Sequence, residues 1–349
     1  MADTAFPEEI PASFAARALA FSTAFFFCLL TAGALVITLL GKVPHPGATL
    51  DLPALVQAKQ AAPQKIAAAA PDAPPVTIDK AVFAGSALIA DPALIENSPV
   101  GPLPRIGDDG KKPMAAYAAP AMPGKLRIAI VVSGLGVSAK ATTAALVRLP
   151  PGVSLGFAPY AGDVQHWVNE ARQSGHEVLL EVPMEPFDFP DSDPGPHTLR
   201  AGVDEDSNLQ RLTWSLSRFT GYAGVTNLLG QRFLSDPDAL SPALTYLARR
   251  GLYFYDNGAS PKSAAPEAAA ASATPFAQAN ENLDDIQTAL EIDRHLSALE
   301  DEARAHGSAV GSGFLYPITV DRIAAWSKGL QSRGFVLVPL SAIVNAPKQ

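Results

Sequence analysis

Leu126-Arg127-Ile128-Ala129-Ile130-Val131-Val132-Ser133-Gly134-Leu135-Gly136 is the stretch on which the reading of this chain turns. A β-branched apolar run broken by one arginine and too short for a buried helix reads as a strand covered on both faces, as in parallel sheets. Gly134 and Gly136 close it, and Ser138 then caps a helix expected to run to about Leu149. Strand, glycine-rich turn and capped helix make one βα unit. In folds built from such units, chemistry sits in the turns after the strands, which directs attention to Ser133 and Gly134.

The same texture continues to the C-terminus. Strand-like runs fall at Val153–Ala158, Glu177–Val182, Ala223–Asn227, Leu252–Tyr255, about Ala273–Phe276, Ser308–Val310 and Phe335–Val338. Helical spacing lies between them. Val164, Trp167, Val168 and Ala171 share a face, as do Leu209, Leu212, Leu216 and Phe219, and likewise Leu240, Leu244 and Leu247. Leu283, Ile286 and Leu290 are expected to open an acidic helix, and Ile323, Trp326 and Leu330 form the last stripe. Alternating strands and helices predict an α/β fold with a parallel sheet. Seven or eight units suit a closed (β/α) barrel better than an open sheet, with the open sheet as the alternative.

Outward from this region the composition changes. Gly41 to Gly124 is rich in Ala and Pro, with few large apolar residues, and reads as a disordered linker. Ala18 to Leu40 is a run of 23 residues without a charge. A helix of that length spans roughly 30 Å of hydrocarbon, so the expectation is a transmembrane helix behind a polar tail at residues 1–17. A cleaved signal peptide is the competing reading, but the tail is acidic and the apolar run long for one. The expected organisation is therefore tail 1–17, span 18–40, linker 41–124 and folded domain 125–345.

The chain has 349 residues and a formal net charge of −8, which argues against a nucleic-acid partner. Its one cysteine, Cys28, excludes a disulfide within the chain and a cysteine metal site. The six histidines show no zinc-motif spacing.

Three more turns complete the pattern: Gly175-His176-Glu177 leading to Glu181-Val182-Pro183-Met184-Glu185-Pro186, Asn227-Leu228-Leu229-Gly230-Gln231-Arg232-Phe233, and Gly311-Ser312-Gly313-Phe314. With the first strand, with Leu252–Asp256 and with Asn282-Leu283-Asp284, their order and spacing resemble the divergent polysaccharide deacetylase family, relatives of the carbohydrate esterases. The resemblance covers about Lys125 to Ser341. It implies a distorted (β/α) barrel of about seven units, deacetylation of a polysaccharide with a divalent metal such as zinc, and an extracytoplasmic place in the cell envelope. With the expected span, that is the inner membrane, single-pass, with the folded domain in the periplasm.

Where the family carries two aspartates after the first strand, this sequence has Ser133 and Gly134. Where it carries histidines, this sequence has Glu181, Leu228 and Ser312. Metal-assisted deacetylation needs a metal to polarise the carbonyl and acidify water, with a base and an acid beside it. Leucine ligates nothing, and serine and glycine supply no carboxylate, so no metal ligand set is assigned and no cofactor is expected. Three readings follow. The domain binds a glycan or an envelope protein without catalysis, as the lost positions favour. It is a hydrolase with a rebuilt carboxylate site, for which Glu181 and Asp284 are the catalytic candidates and Asp256 a further carboxylate. Or it is a membrane-tethered spacer. Ser133, Glu185, Asn227, Arg232, Asp256 and Ser312 are the candidates for contacting substrate. Arg232 has two readings, an ion pair with a neighbouring carboxylate or an anionic sugar. His176 is expected at the opposite rim in a structural role. The loop holding Asp188, Asp191 and Asp193 is expected to cover the mouth, and Phe187, Phe189, Phe314 and Tyr316 are available to stack on sugars.

Overall fold

Residues 90–344 are described by the structure, a computed structural model. Their elements run β1 (Ile95–Ser98), β2 (Gly101–Pro104), α1 (Pro113–Ala116), β3 (Leu126–Leu135), α2 (Ala139–Arg148), β4 (Ser154–Phe157), α3 (Val164–Gln173), β5 (Val178–Met184) and α4 (Glu205–Leu216). They continue with β6 (Gly224–Leu229), α5 (Gln231–Leu234), α6 (Pro237–Arg249), β7 (Tyr253–Asp256), α7 (Ala265–Ala271), β8 (Phe276–Gln278) and β9 (Glu281–Asn282). Last come α8 (Ala289–His306), β10 (Ser308–Phe314), α9 (Pro317–Ser327) and β11 (Phe335–Leu337).

The quoted stretch is the central strand, with every residue from Ile128 to Leu135 buried. Strand order is β8-β7-β6-β5-β4-β3-β10-β9, all parallel, and β11 pairs with the first residues of β3. Side-chain alternation along each strand makes two layers. Ile128, Ile130, Val132, Leu180 and Val182 face the helices, where Leu212, Leu244, Leu299 and Ile323 cover them. Ala129, Val131, Leu179, Tyr253, Tyr255 and Val310 form the inner layer. The inner residues are mostly small, which leaves room for the two tyrosines. A Cβ at Gly224 would come within 2.2 Å of the Tyr253 ring.

The closed barrel expected from the unit count is corrected to a curled, incomplete one. The end strands β8 and β9 each pair with one neighbour only. Only Ala279 and Asn280 separate them, and the chain crosses from the β7 edge to the β10 edge there. The expected transmembrane helix has no counterpart among the described residues. Among the described residues no helix is long and apolar enough to cross a membrane, and Ala18–Leu40 lies outside them.

Two boundaries differ from the sequence reading. Residues 90–124 fall in the stretch read as linker, yet they carry the antiparallel β1–β2 hairpin and bury Leu94, Leu103 and Tyr117. A few well-placed apolar side chains among prolines escape a composition argument. The acidic helix starts at Ala289 with Thr288 as its cap, so Leu283 and Ile286 stand in the preceding loop. Asp284 holds that loop, accepting from the Phe314 amide at 2.7 Å and the Thr319 hydroxyl at 2.8 Å. By contrast Ser138 caps α2 as expected, its hydroxyl accepting from the Ala141 amide.

The N-terminal end of the barrel is closed by chain from both sides of the domain. Buried Glu177 accepts from the Tyr253 hydroxyl at 2.9 Å, the Ser341 amide at 2.9 Å and the Ala119 amide at 3.2 Å. His176, next to it, bonds Val153 O through Nδ1 at 2.9 Å. Burial lowers its pKa to about 4, so this ring is a neutral structural group.

Candidate functional site

At the other end of the barrel the period-two alternation of β5 turns Glu181 inward, two residues beyond Leu179. It is fully buried. The Gly134 amide donates to its Oε1. Gly134 holds φ +90° at the end of β3, and the Phe314 ring lies against its Cα, where a Cβ would come within 2.5 Å. Glycine is needed there for the backbone angle and for the ring. Ser133 Oγ lies beside Glu181: a Cβ at Gly156 would stand 2.9 Å from Glu181 Oε1 and 3.0 Å from Ser133 Oγ.

Register adds two residues that the motif reading missed. Glu181 pairs with Thr226, and Thr226 pairs with Tyr255, so the three share a level and a face. Ser312 is buried on β10, in register with Val131. The Tyr255 hydroxyl faces it without reaching good hydrogen-bond geometry. Ser133 Oγ, Glu181 Oε2 and Thr226 Oγ1 are buried without a side-chain or backbone partner. Desolvation lifts the Glu181 pKa from 4.5 to about 8, against the opposing pull of the Gly134 amide. Burial likewise pushes Tyr255 up. At neutral pH this is a cluster of hydroxyls around one protonated carboxyl.

The other candidate residues stand apart from it. Glu185 accepts from the Ala201 amide at 2.7 Å and from Arg232 at 3.0 Å, while its own carbonyl takes the Arg232 and Phe233 amides. Glu185 and Arg232 thereby pin the loop after β5, and the ion-pair reading of Arg232 is the one observed. Asn227 bonds Asn257 and the Leu229 carbonyl. Asp256 accepts from the Gly258 amide at 2.9 Å and from Gln278 at 3.1 Å. Burial raises the carboxyls of Asp256 and Asp284, but both already hold loops. Leu228 is half-buried, in register with Pro183.

Among the described residues no three of His, Cys, Asp and Glu come together as a metal cage. The divalent metal implied by the resemblance does not fit the donors at this centre. Zinc takes four ligands with nitrogen or sulfur among them, and magnesium or calcium wants several oxygens, carboxylates foremost. Hydroxyls and one neutral carboxyl match neither.

Loops after the strands frame this end. The loop between Glu185 and α4 has exposed Phe187 near its start, and Asp188, Asp191 and Asp193 tie its internal turns. Its far part is fixed by Tyr160, whose hydroxyl accepts from the His197 amide at 3.0 Å, and by His197 stacked at 3.6 Å on Trp214. Tyr160 and Phe187 follow β4 and β5, Phe314 ends β10, and each exposes a third or more of its surface.

Comparison with known proteins agrees with this architecture. A solved structure of an uncharacterized protein from Agrobacterium tumefaciens C58 is 41% identical, with a TM-score of 0.69, covering 70% of this chain and 100% of that one. The uncharacterized protein YibQ of Escherichia coli K12 is 27% identical over 236 residues, 67% of this chain and 72% of its own length. An uncharacterized protein of Haemophilus influenzae is 26% identical over 204 residues, 58% of this chain and 72% of its own. Residues 130–344 match the family described as divergent polysaccharide deacetylase. That match spans well over half of the chain and takes in every strand from β4 to β11, and the chain belongs to the divergent polysaccharide deacetylase family.

Proposed function

We propose that this protein recognises a glycan of the cell envelope at the C-terminal mouth of its barrel and does not deacetylate it. One observation carries the reading. The buried centre at the C-terminal end of the barrel holds Glu181 as a neutral acid among Ser133, Thr226, Tyr255 and Ser312, while Glu185, Asp256 and Asp284 are bonded to loops. Hydrolysis of an acetamide needs a stabilised oxyanion and an activated water. A protonated carboxyl supplies a proton but activates no water. Ser133, Gly134, Leu228 and Ser312 are, on this reading, the positions at which the family's catalytic groups have been replaced.

Binding needs less. Aromatic faces and planar polar groups hold sugar rings, and Tyr160 and Phe187 on two loops and Phe314 at the end of β10 offer such faces around the mouth. An extracytoplasmic setting goes with this reading, and an envelope protein is the alternative partner.

The test is a pair of assays on the purified protein. Oligomers of N-acetylglucosamine should raise the melting temperature, as any ligand of the folded state does, and should be recovered with every acetyl group in place. Release of acetate would favour the second reading, a hydrolase that uses Glu181 as its acid. No shift with any envelope glycan would leave the protein partner.

A further inference from the structure

Away from the mouth, α4 and α6 lie side by side on the outside of the barrel with a groove of about 400 Å³ between them. Its charge is sorted from end to end. Glu205 and Asp238 stand at the end where both helices begin, and Arg249 stands where α6 finishes. Eleven residues at 1.5 Å separate Asp238 from Arg249, roughly 16 Å along the axis. None of these three charges has an ion-pair partner among the described residues, whereas Arg250, next to Arg249, pairs with Glu96. Leu209, Pro242 and Thr245 lie between the charged ends. Pro242 has no amide hydrogen, so the carbonyl of Asp238, four residues earlier, loses its helical partner and stays open as an acceptor.

We infer that this face is self-complementary and joins two copies of the chain about a two-fold axis, α6 antiparallel to the partner's α6. In that arrangement Arg249 of each copy meets Glu205 and Asp238 of the other, so the pairing is made twice by one operation. A parallel arrangement sets acid on acid and arginine on arginine. The apolar centre is covered at the same time. One pair of helices is a narrow contact beside the roughly 1,200–2,000 Å² that stable pairs bury, so the association is of the weak, concentration-dependent kind, and salt weakens it.

Sedimentation velocity of the full chain over a range of concentrations tests this. The wild type should shift from monomer toward dimer as concentration rises, and revert in high salt. Arg249→Glu alone, and Glu205→Arg with Asp238→Arg, should each stay monomeric. Mixing the two variants should restore a pair, since each then carries the charge the other needs. In a Cys28→Ser background, Thr245→Cys, near the middle of α6, should form a disulfide-linked dimer on oxidation. A wild type that stays monomeric, association unchanged in both charge variants, or a mixture that fails to pair would overturn the inference.

Discussion

The amide of Gly134 donates to one oxygen of the Glu181 carboxyl, and the other oxygen meets no protein partner. One hydrogen bond is too little to offset complete burial, so the acid holds its proton at neutral pH.

A pH dependence of stability follows. The folded pKa, about 8, lies above the ordinary value of 4.5. Between those values the folded state binds more protons than the unfolded one, so the stability present at pH 4.5 is lost as pH rises toward 8. The slope is at most about 1.4 kcal/mol per unit. Glu177, Asp256 and Asp284 are shifted in the same direction, so the comparison has to be with Glu181→Gln. Urea midpoints at pH 5, 7 and 9 should fall for the wild type and fall distinctly less for the variant.

Gly134→Ala should destabilise by roughly 1–3 kcal/mol, since a Cβ meets the Phe314 ring and a positive φ at once. Combining it with Phe314→Ala removes the clash and leaves the backbone cost. The double variant should therefore denature at a higher urea concentration than additivity of the two single changes allows.

Glu177→Ala removes the acceptor shared by Tyr253, Ser341 and Ala119. Each buried donor left unpaired costs about 1–3 kcal/mol. Amide exchange should quicken in the segments around Ala119 and Ser341 together, because one carboxyl holds both, and leave the loop after β5 less affected.

Glu185→Ala should do the converse. It frees the Ala201 amide and the Arg232 side chain, and exchange should rise across residues 186–203 with a smaller change at the barrel floor. Arg232→Ala should have the weaker effect of the two, because Arg232 is half exposed and solvent screens its charge.

Much of this was legible in the sequence. The run of β3, the cap at Ser138 and the helical stripes after Val164 and Leu240 mark elements by local pattern alone. Glu181 could be placed on a strand facing the centre. Its neighbours Thr226 and Tyr255 could not, because they meet it through the register of three strands, which no local pattern records. Asn227, Asp256 and Asp284 look in the sequence like residues gathered at a rim. In the fold Asp256 closes a local turn on the Gly258 amide, as Asx groups commonly do, while Asn227 and Asp284 accept from the Asn257 and Phe314 amides at the ends of other strands. The hairpin before β3 was hidden by its prolines, and the incomplete closure by two strands too short to read.

Elemental analysis of the purified protein, after incubation with zinc and dialysis, reads out whether the centre of this family barrel carries a metal cage. Zinc well below one per chain is expected, with the same result for Glu181→Gln. One zinc per chain, lost in Glu181→Gln, would contradict it.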